Sequence, residues 1–535
     1  MSPADQLENS SPFDVIVIGG GILGACIARD AALRGLSVAL VEKGDFGGGT
    51  SWNSLKIVHG GLRYLQHLDF ARMRESIRER SHWLRIAPHL VEPLPIVVPT
   101  KDQGLQRRPV LRAALLANDI ISWDRNQALE PSRRLPAGRG LTRGECLRLI
   151  PELEGSGLTG GVMFHDAQMY SAERLVLAVL KGAIAAGAVV ANYVELEDRL
   201  VAGARLAGVK LRDVISGERL EVRARTVVNA AGPASAWVAG KLTGHASAAA
   251  TRYSAALNLM VRGQGHSVAF AVTGAASDPS AVVRMGKRQL FFVPWRNRTL
   301  IGTGHYSYEA DPDDAHPDEH VQVFLEEVNA AWPGASFTRD DLLLVHSGLL
   351  PVEPGTKDGG VNLLKRHRVI DHKAHDAPEA LSAISVKFTT SRLVAEELVD
   401  MVCEKLGRTR ARCATSETPL PGAPQGTFEQ LMSFARTRYR ALLAEDVLEH
   451  LVRAYGTEYE RVLAHRETMP DWDERLHPSA PVIKAQFAYA ARSELARCPE
   501  DIVWRRTELG PLGLASDTAM AAANQLMTTR RVRDR

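Results

Sequence analysis

The sequence predicts a protein of the α/β class (α+β overall), with a Rossmann-like unit at its N-terminus, a sheet-rich second domain and a helical C-terminal domain. Two observations lead to this prediction. Residues 13–42 show the order strand, glycine turn, helix and strand, which is the pattern of a βαβ unit. Beyond about Pro419, short strands give way to stretches with helical spacing, such as FEQLMSFARTRYRALLA and KAQFAYAARSELARC.

The elements follow in order from residue type and spacing. Residues 13–18 form an apolar run that ends at a glycine, and residues 37–42 supply the second buried strand after a helix that ends at Gly35. A helix is expected from Asp69 to Ile86, and another from about Ala172.

Two later stretches favour strands. TVVNAAGP, residues 226–233, is a buried strand that runs into a glycine turn. Residues 253–301 alternate short strands such as LNLMV and LFFVP with turns, which predicts a sheet.

We therefore expect three domains. A discontinuous nucleotide-binding domain comprises residues 12–90, 155–240 and 340–412, and a substrate domain comprises residues 91–154 and 241–339. The helical C-terminal domain comprises residues 420–535, after a linker near PLPGAPQG.

Composition excludes several classes of protein. Of 535 residues, 45% are hydrophobic and 24% charged, and the net charge is +3, which is the balance of a folded globular protein and gives no reason to expect nucleic acid as a partner. The five cysteines are scattered without a C-x-x-C pair, so no metal site is predicted and a reducing, cytoplasmic setting is expected. We find no signal-peptide pattern and no run of about 18 apolar residues, so we expect neither export nor a membrane span.

The first glycine turn carries the strongest chemical signal. Gly19, Gly21 and Gly24 form the G-x-G-x-x-G pattern between a strand and a helix, where glycines allow a tight turn and a close approach of the backbone to a pyrophosphate. Glu42 ends the second strand, where a carboxylate accepts hydrogen bonds from ribose hydroxyls and repels a 2′-phosphate. The pattern thus favours FAD or NAD over NADP.

Two further glycine-rich segments follow, GGGTS at residues 47–51 and SLKIVHGGLRYL at residues 54–65. Their hydroxyl, lysine and histidine side chains suit a second anion or the edge of a flavin. The same residues also suit ordinary loops with a histidine anchored in the core, so composition leaves both interpretations open.

Several segments together resemble one family, the FAD-dependent glycerol-3-phosphate dehydrogenases of the D-amino-acid-oxidase-like flavoproteins. They are FDVIVIGGGILGACIARDAALRGLSVALVE, TSWNSLKIVHGGLRYL, TVVNAAGP, FFVPWRNRTLIGTG, VKFTTSRLVAEE and WRRTELG. The resemblance implies bound FAD, oxidation of a substrate alcohol by hydride transfer to flavin N5, and transfer of the electrons to a quinone or oxygen.

The resemblance also implies roles for individual residues. The implied cofactor contacts are Gly19, Gly21, Gly24, Glu42, Thr50, Ser51, Ser54, Lys56, Gly232, Lys387, Phe388 and Thr389. The implied substrate-side groups, which hold a phosphate and hydroxyls, are Arg63, Tyr64, Arg366 and Lys387. The alternative for Arg63 and Arg366 is that they are surface or ion-paired arginines.

The chain departs from the family pattern at the substrate side. Asn258 stands where a histidine is expected, Leu350 where an arginine is expected, and Ser385 and Val386 replace paired glycines. Asn258 therefore joins the candidate catalytic residues, and His305 is a candidate base because a hydroxyl proton needs an acceptor.

Three functions are compatible with these features. Glycerol 3-phosphate, a small anionic alcohol, is the leading substrate. A related flavoprotein acting on another hydroxy acid, an amine or an amino acid is the alternative, and a flavin-binding protein without turnover is the third.

Membrane contact is a separate expectation. The segment from Arg107 to Trp123 is basic and amphipathic, and the family uses membrane quinones, so peripheral binding to the inner face of the cytoplasmic membrane is an alternative to a purely cytoplasmic protein. The sequence leaves the electron acceptor and the oligomeric state open, a homodimer included.

Overall fold

The computed structural model describes residues 3–10, 12–102, 107–154, 157–245, 252–277, 287–308, 318–332, 334, 336–353, 363–409 and 411–533. The chain forms two compact units. The first unit contains Met1–Trp52, Ser171–Arg252 and Leu364–Arg535, and the second contains Asn53–Tyr170 and Tyr253–Leu363.

The strands of the described residues, in chain order, are β1 (Phe13–Ile18), β2 (Val38–Glu42), β3 (Ile57–Val58), β4 (Val91–Thr100), β5 (Arg139–Thr142), β6 (Gly160–Met169), β7 (Val189–Asn192), β8 (Val194–Ala202), β9 (Arg205–Asp213), β10 (Arg219–Asn229), β11 (Tyr253–Arg262), β12 (Ala269–Ser277), β13 (Lys287–Trp295), β14 (Arg298–Tyr308), β15 (Leu342–Pro351), β16 (Arg368–Asp371) and β17 (Ala380–Ile384).

The helices are α1 (Pro3–Asn9), α2 (Ile22–Leu33), α3 (Phe70–Ile86), α4 (Arg108–Ile121), α5 (Arg143–Leu149), α6 (Ala172–Ala185), α7 (Ser235–Thr243), α8 (Asp318–Ala331), α9 (Ser391–Lys405), α10 (Phe428–Tyr439), α11 (Glu445–Tyr455), α12 (Tyr459–Leu463), α13 (Lys484–Ser493), α14 (Pro499–Asp501) and α15 (Asp517–Arg533). A π-helical turn, Ile502–Arg506, follows α14 directly.

The sheet of the first unit has the strand order β16-β17-β10-β1-β2-β7. β1 pairs in parallel with both β2 and β10, and β10 pairs in parallel with β17. All six residues of β1 are buried, as a central strand covered on both faces requires. The carboxyl ends of β1, β10 and β17 therefore lie at one edge of the sheet, where open α/β sheets bind their ligands.

The sheet of the second unit has the order β15-β11-β14-β13-β12-β4-β6-β3, with β5 paired to β6. Most neighbours are antiparallel, and β12 and β4 are parallel. One face packs on an apolar core that includes Leu257, Leu259, Phe270, Phe292 and Phe324. This agrees with the predicted sheet-rich domain.

The helices after residue 420 confirm the predicted helical C-terminal domain. Thr427 caps the N-terminus of α10. Its hydroxyl accepts a hydrogen bond from Gln430 N–H, and the Gln430 side chain accepts one from Thr427 N–H. α13 and α15 share an apolar core with the π-helical turn, which includes Phe487, Ile502 and Ala523.

The two units divide the chain differently from the predicted domains. Residues 53–90 and 155–170, which we assigned to the nucleotide-binding domain, belong to the second unit. The reason is strand pairing, because β3 and β4 both pair with β6 in the second sheet. The sequence does not indicate these strand pairings.

Candidate active site

The turn between β1 and α2 can be formed only by glycine. Gly19 has φ +112°, and a Cβ there would lie 2.6 Å from the carbonyl oxygen of Ala230 at the end of β10. A Cβ on Gly24 would lie 1.9 Å from the Gly19 oxygen. The helix thus starts directly against the turn, and helix starts attract anions because the amides of the first turn have no acceptor within the helix.

Glu42 braces the same turn. Its carboxylate accepts hydrogen bonds from Gly20 N–H at 2.7 Å and from Gly44 N–H at 2.9 Å. Removal from water raises the pKa of the Glu42 carboxyl, although the hydrogen bonds from Gly44 and Gly20 oppose the shift. Each oxygen keeps a lone pair with which to accept a hydroxyl hydrogen.

The segment after β2 returns to the start of α2. Ser51 Oγ accepts a hydrogen bond from Ile22 N–H at 3.0 Å, and Gly47 N–H donates to the Gly20 oxygen at 3.0 Å. Thr50 is partly buried beside Ser51. Two of the predicted cofactor contacts therefore lie next to the glycine turn.

The remaining predicted cofactor contacts of the first unit lie at the carboxyl ends of β10 and β17. Gly232 follows β10 with φ +57°, and a Cβ there would meet nothing within 4 Å. Lys387, Phe388 and Thr389 form the loop between β17 and α9, where the Ser391 hydroxyl donates to the Lys387 oxygen at 3.2 Å. The sheet therefore brings these residues to the edge that carries the glycine turn.

These features fit FAD. The glycine turn packs the start of α2 closely against the ends of β1 and β10, the helix start attracts a pyrophosphate, and Glu42 suits an adenosine ribose. The lysine loop at the same edge can accommodate the opposite end of a long dinucleotide.

Ser54 and Lys56 belong to the second unit. Ser54 Oγ accepts from Lys56 N–H at 3.2 Å, and the Lys56 oxygen accepts from Met169 N–H at 2.7 Å. Lys56 is 0% exposed, and its ammonium lies 5.3 Å from the centroid of the Trp295 ring.

Three side chains lie on the face of the second sheet opposite its apolar core, and we call them the polar face: Asn258, His305 and His346. Asn258 pairs in register with His346, and His305 pairs with Ala256, two residues before Asn258. The Thr303 hydroxyl donates to Asn258 Oδ1 at 2.8 Å. A Cβ on Gly302 would lie 3.2 Å from Leu55, so the segment before β3 covers this face.

The three differ in exposure and protonation. His305 is partly exposed, whereas Asn258 is 4% and His346 0% exposed. Burial, followed by the charge of Lys56, lowers the pKa of His346 well below its usual value of 6.5, so this imidazole is neutral at pH 7. His346 was not among the predicted site residues, because only strand pairing places it beside Asn258.

An ion pair between Asp166 and Arg80 supports the HGGLRY segment. Asp166 accepts from Gly60 N–H at 2.6 Å and pairs with Arg80, and a Cβ on Gly60 would lie 2.3 Å from the Arg80 guanidinium. Neither Asp166 nor Arg80 was predicted as a site residue, since Asp166 follows Gly60 by 106 positions.

The substrate-side arginines remain predictions. The Arg72 guanidinium lies 4.1 Å from the centroid of the Tyr64 ring. The side chain of Arg63 lies outside the described part of the chain. Arg366 is exposed in the first unit, just before β16, and Leu350 lies in β15 opposite Ser254.

Comparison with known proteins agrees with this site. The FAD dependent oxidoreductase family matches residues 14–401, and the C-terminal domain of alpha-glycerophosphate oxidase matches residues 413–534. The fold and the glycine turn thus define an FAD-dependent oxidoreductase.

Individual relatives narrow the class. A glycerol-3-phosphate dehydrogenase of Synechocystis sp. is 35% identical over 94% of this chain and 90% of that protein. One of Mycobacterium leprae is 33% identical over 92% of this chain and 80% of that protein. The glycerol-3-phosphate dehydrogenase of Bacillus halodurans, solved with FAD, has the same fold, with a TM-score of 0.72 at 23% identity over 98% of this chain and 96% of that one.

The chain belongs to the family of FAD-dependent glycerol-3-phosphate dehydrogenases. The predicted family, fold class, enzyme class and cofactor are confirmed.

Proposed function

We propose that this enzyme oxidises glycerol 3-phosphate to dihydroxyacetone phosphate. The relatives that carry this name match almost the full length of the chain, and the C-terminal match is to a domain of alpha-glycerophosphate oxidase. The observation that carries the chemistry is the polar face, where Asn258 and the neutral His346 lie near the buried Lys56 side chain.

The residues divide the reaction between them. When bound, FAD supplies the hydride acceptor. His305 accepts the hydroxyl proton, because it is the partly exposed histidine of the polar face. Asn258, which already accepts from Thr303, orients the hydroxyl, and Arg63, Tyr64, Arg366 and Lys387 hold the phosphate.

The cofactor contacts are proposed on the same basis. Gly19, Gly21, Gly24 and Glu42 bind the pyrophosphate and ribose, and the other contacts are Thr50, Ser51, Ser54, Lys56, Gly232, Lys387, Phe388 and Thr389. The discontinuous nucleotide-binding domain remains our proposal for the part of the chain that holds FAD. A quinone is the proposed electron acceptor.

Anaerobic titration tests the substrate. Adding glycerol 3-phosphate to the oxidised holoprotein should bleach the flavin absorbance within one turnover. If the flavin stays oxidised while the protein retains FAD, glycerol 3-phosphate is not the donor.

The alternative donor has its own support. Leu350 and Asn258 remove a charge and a histidine that the family pattern would place at the substrate side. A different hydroxy acid, an amine or an amino acid would need other partners there. The same titration with these three classes of donor identifies the alternative, and bleaching by one of them alone favours it.

A membrane surface is the proposed partner of α4. Leu116, Ile120 and Trp123 are 63%, 65% and 78% exposed, and exposed Arg107 and Arg112 accompany them. Apolar residues beside cations are typical of helices that lie in the interface of an anionic bilayer. No helix among the described residues has the length and apolar character needed to cross a membrane.

Vesicle sedimentation tests this surface. The double variant Ile120→Glu with Trp123→Glu should bind phosphatidylglycerol vesicles at least about tenfold more weakly. The control is Phe434→Glu, since Phe434 is an equally apolar residue of α10 with 54% exposure. Equal binding by both variants contradicts the proposal.

A further inference from the structure

The C-terminal domain contacts the segment that closes the cofactor turn. This segment runs from Lys43 to Trp52, between Glu42 and the end of the residues that belong to the first unit at this point. Its Asp45 side chain is 0% exposed and receives donors from three side chains, which with it form what we call the Asp45 cluster: Asp45, Asn192, Arg505 and Arg506.

The hydrogen bonds of this cluster are specific. Arg506 donates to both Asp45 oxygens, Nη1 to Oδ2 at 2.7 Å and Nη2 to Oδ1 at 2.8 Å. Arg505 Nε donates to Oδ2, and Asn192 Nδ2 donates to Oδ1 at 2.9 Å. Burial alone would raise the pKa of the Asp45 carboxyl, but the two arginines lower it below its usual range, so the group stays charged.

Arg506 is itself held in place from the other side. Its Nε donates to the backbone carbonyl oxygen of Glu494 at 2.7 Å, and the Glu494 carboxylate forms a two-pronged ion pair with Arg174 at 2.7 and 2.8 Å. Arg506 is 1% exposed. A guanidinium with this many fixed partners acts as a rigid fork.

An aromatic contact adds a second point of attachment. The Trp52 and Trp504 rings meet edge to face, with centroids 5.9 Å apart, and Trp52 Nε1 donates to the Gly48 oxygen at 2.9 Å. Trp504 also belongs to the π-helical turn, a form that often marks functional sites.

The segment that the cluster holds is in contact with the cofactor turn. Gly47 donates to the Gly20 oxygen at 3.0 Å, and Ser51 accepts from Ile22 at the start of α2. A Cβ on Gly20 would lie 2.7 Å from the Phe46 ring, so Phe46 lies directly against the turn. A displacement of Asp45 would be passed on to these contacts.

We propose that Arg505 and Arg506 are positioning residues for FAD, which they influence by fixing the Lys43–Trp52 segment through Asp45. The C-terminal domain thereby sets the affinity of a cofactor that other parts of the chain bind. By linkage, bound FAD stabilises the docked C-terminal domain in return. The proposal holds whichever donor the enzyme oxidises.

The test compares two arginines of the C-terminal domain. Arg506→Lys keeps the charge but loses the fork on Asp45. Arg475→Lys is the matched control, because Arg475 forms a similar forked pair with Asp446, at 2.8 and 2.6 Å, and its printed partners lie outside the Asp45 cluster. FAD release from each holoprotein is followed by its fluorescence after dilution into flavin-free buffer, together with the thermal midpoint of each.

Arg506→Lys should weaken FAD binding at least about tenfold, a usual size for coupling between sites, and Arg475→Lys should not. A loss of thermal stability shared by both variants, with equal rates of FAD release, overturns the proposal and leaves the cluster as a docking contact.

A reciprocal measurement keeps the proposal testable if Arg506→Lys does not fold. Limited proteolysis of the wild-type protein, with and without FAD, reports on the residues around 495–510. Protection of this stretch by FAD supports the coupling, and cleavage at the same rate in both states contradicts it.

Discussion

The cofactor turn of the first unit depends on backbone geometry, whereas the polar face of the second unit depends on side chains. The turn consists of backbone, and its geometry follows from the absence of side chains at Gly19 and Gly24. The polar face consists of side chains, and its geometry follows from which strands pair.

The two regions therefore tolerate substitution differently. A turn defined by sterics fails at once when a single carbon is added. Each substitution on the polar face removes one functional group, whereas the sheet that carries these side chains stays folded. Substitutions should therefore abolish cofactor binding in the first region and reduce only turnover in the second.

Gly24→Ala should have the largest effect. The added Cβ would meet the Gly19 oxygen at 1.9 Å, so the start of α2 must move away from the turn. We expect the purified variant to retain at most about a tenth of the flavin per protein, measured by absorbance. Gly144→Ala, where the nearest atom to the Cβ is 3.8 Å away, should retain it fully. A flavin-replete Gly24→Ala protein would contradict the steric argument.

His305→Ala should leave the flavin bound and slow its reduction. Loss of a general base costs about 100-fold or more, which single-turnover reduction by glycerol 3-phosphate measures. His320→Ala is the control, since that ring stacks on Tyr306 at 4.6 Å on the core side of the same sheet. An unchanged rate in His305→Ala would remove it from the mechanism and make His346 the next candidate.

Asp166→Asn tests the support below the HGGLRY segment. The change leaves the buried Arg80 without its ion pair, which costs about 3 kcal/mol of unfolding free energy. Asp124→Asn, which breaks the more exposed pair with Arg74, should cost under about 1 kcal/mol. Denaturant unfolding of both variants measures the difference, and equal costs would show that Asp166 does not hold the segment.

The two regions also differ in how far the sequence predicts them. The strand, glycine turn and helix were predictable because their contacts are local, and Glu42 lies 22 residues from the Gly20 amide it accepts from. The HGGLRYL segment indicated flavin chemistry through its resemblance to the family. The helical C-terminal domain followed from its periodicity alone.

Long-range contacts were not predictable. His346 faces Asn258 only because β15 pairs with β11, and Asp45 meets Arg506 across 461 positions. The pairing of β3 with β6 was not predictable for the same reason, since the two strands lie far apart in the chain. A single sequence does not indicate which distant residues come into contact.

The smallest expected effect concerns acid stability, and it compares buried histidines of the two units. Burial, then the neighbouring His375, lowers the pKa of His372 from 6.5 to about 4, and burial lowers that of His346 in the same direction. Below pH 6.5 the unfolded chain binds protons that the folded protein does not, so the free energy of unfolding falls as the pH falls from 6.5 towards 4.

His372→Gln should remove part of this loss, at most about 2 kcal/mol between pH 7 and pH 5, measured by denaturant unfolding at each pH. His346→Gln should act in the same direction, whereas His477→Gln retains both buried rings and should follow the wild type. If His372→Gln and His346→Gln lose stability in parallel with the wild type, neither histidine is the source of the acid sensitivity. If only one variant departs from it, the sensitivity belongs to the unit that carries that histidine.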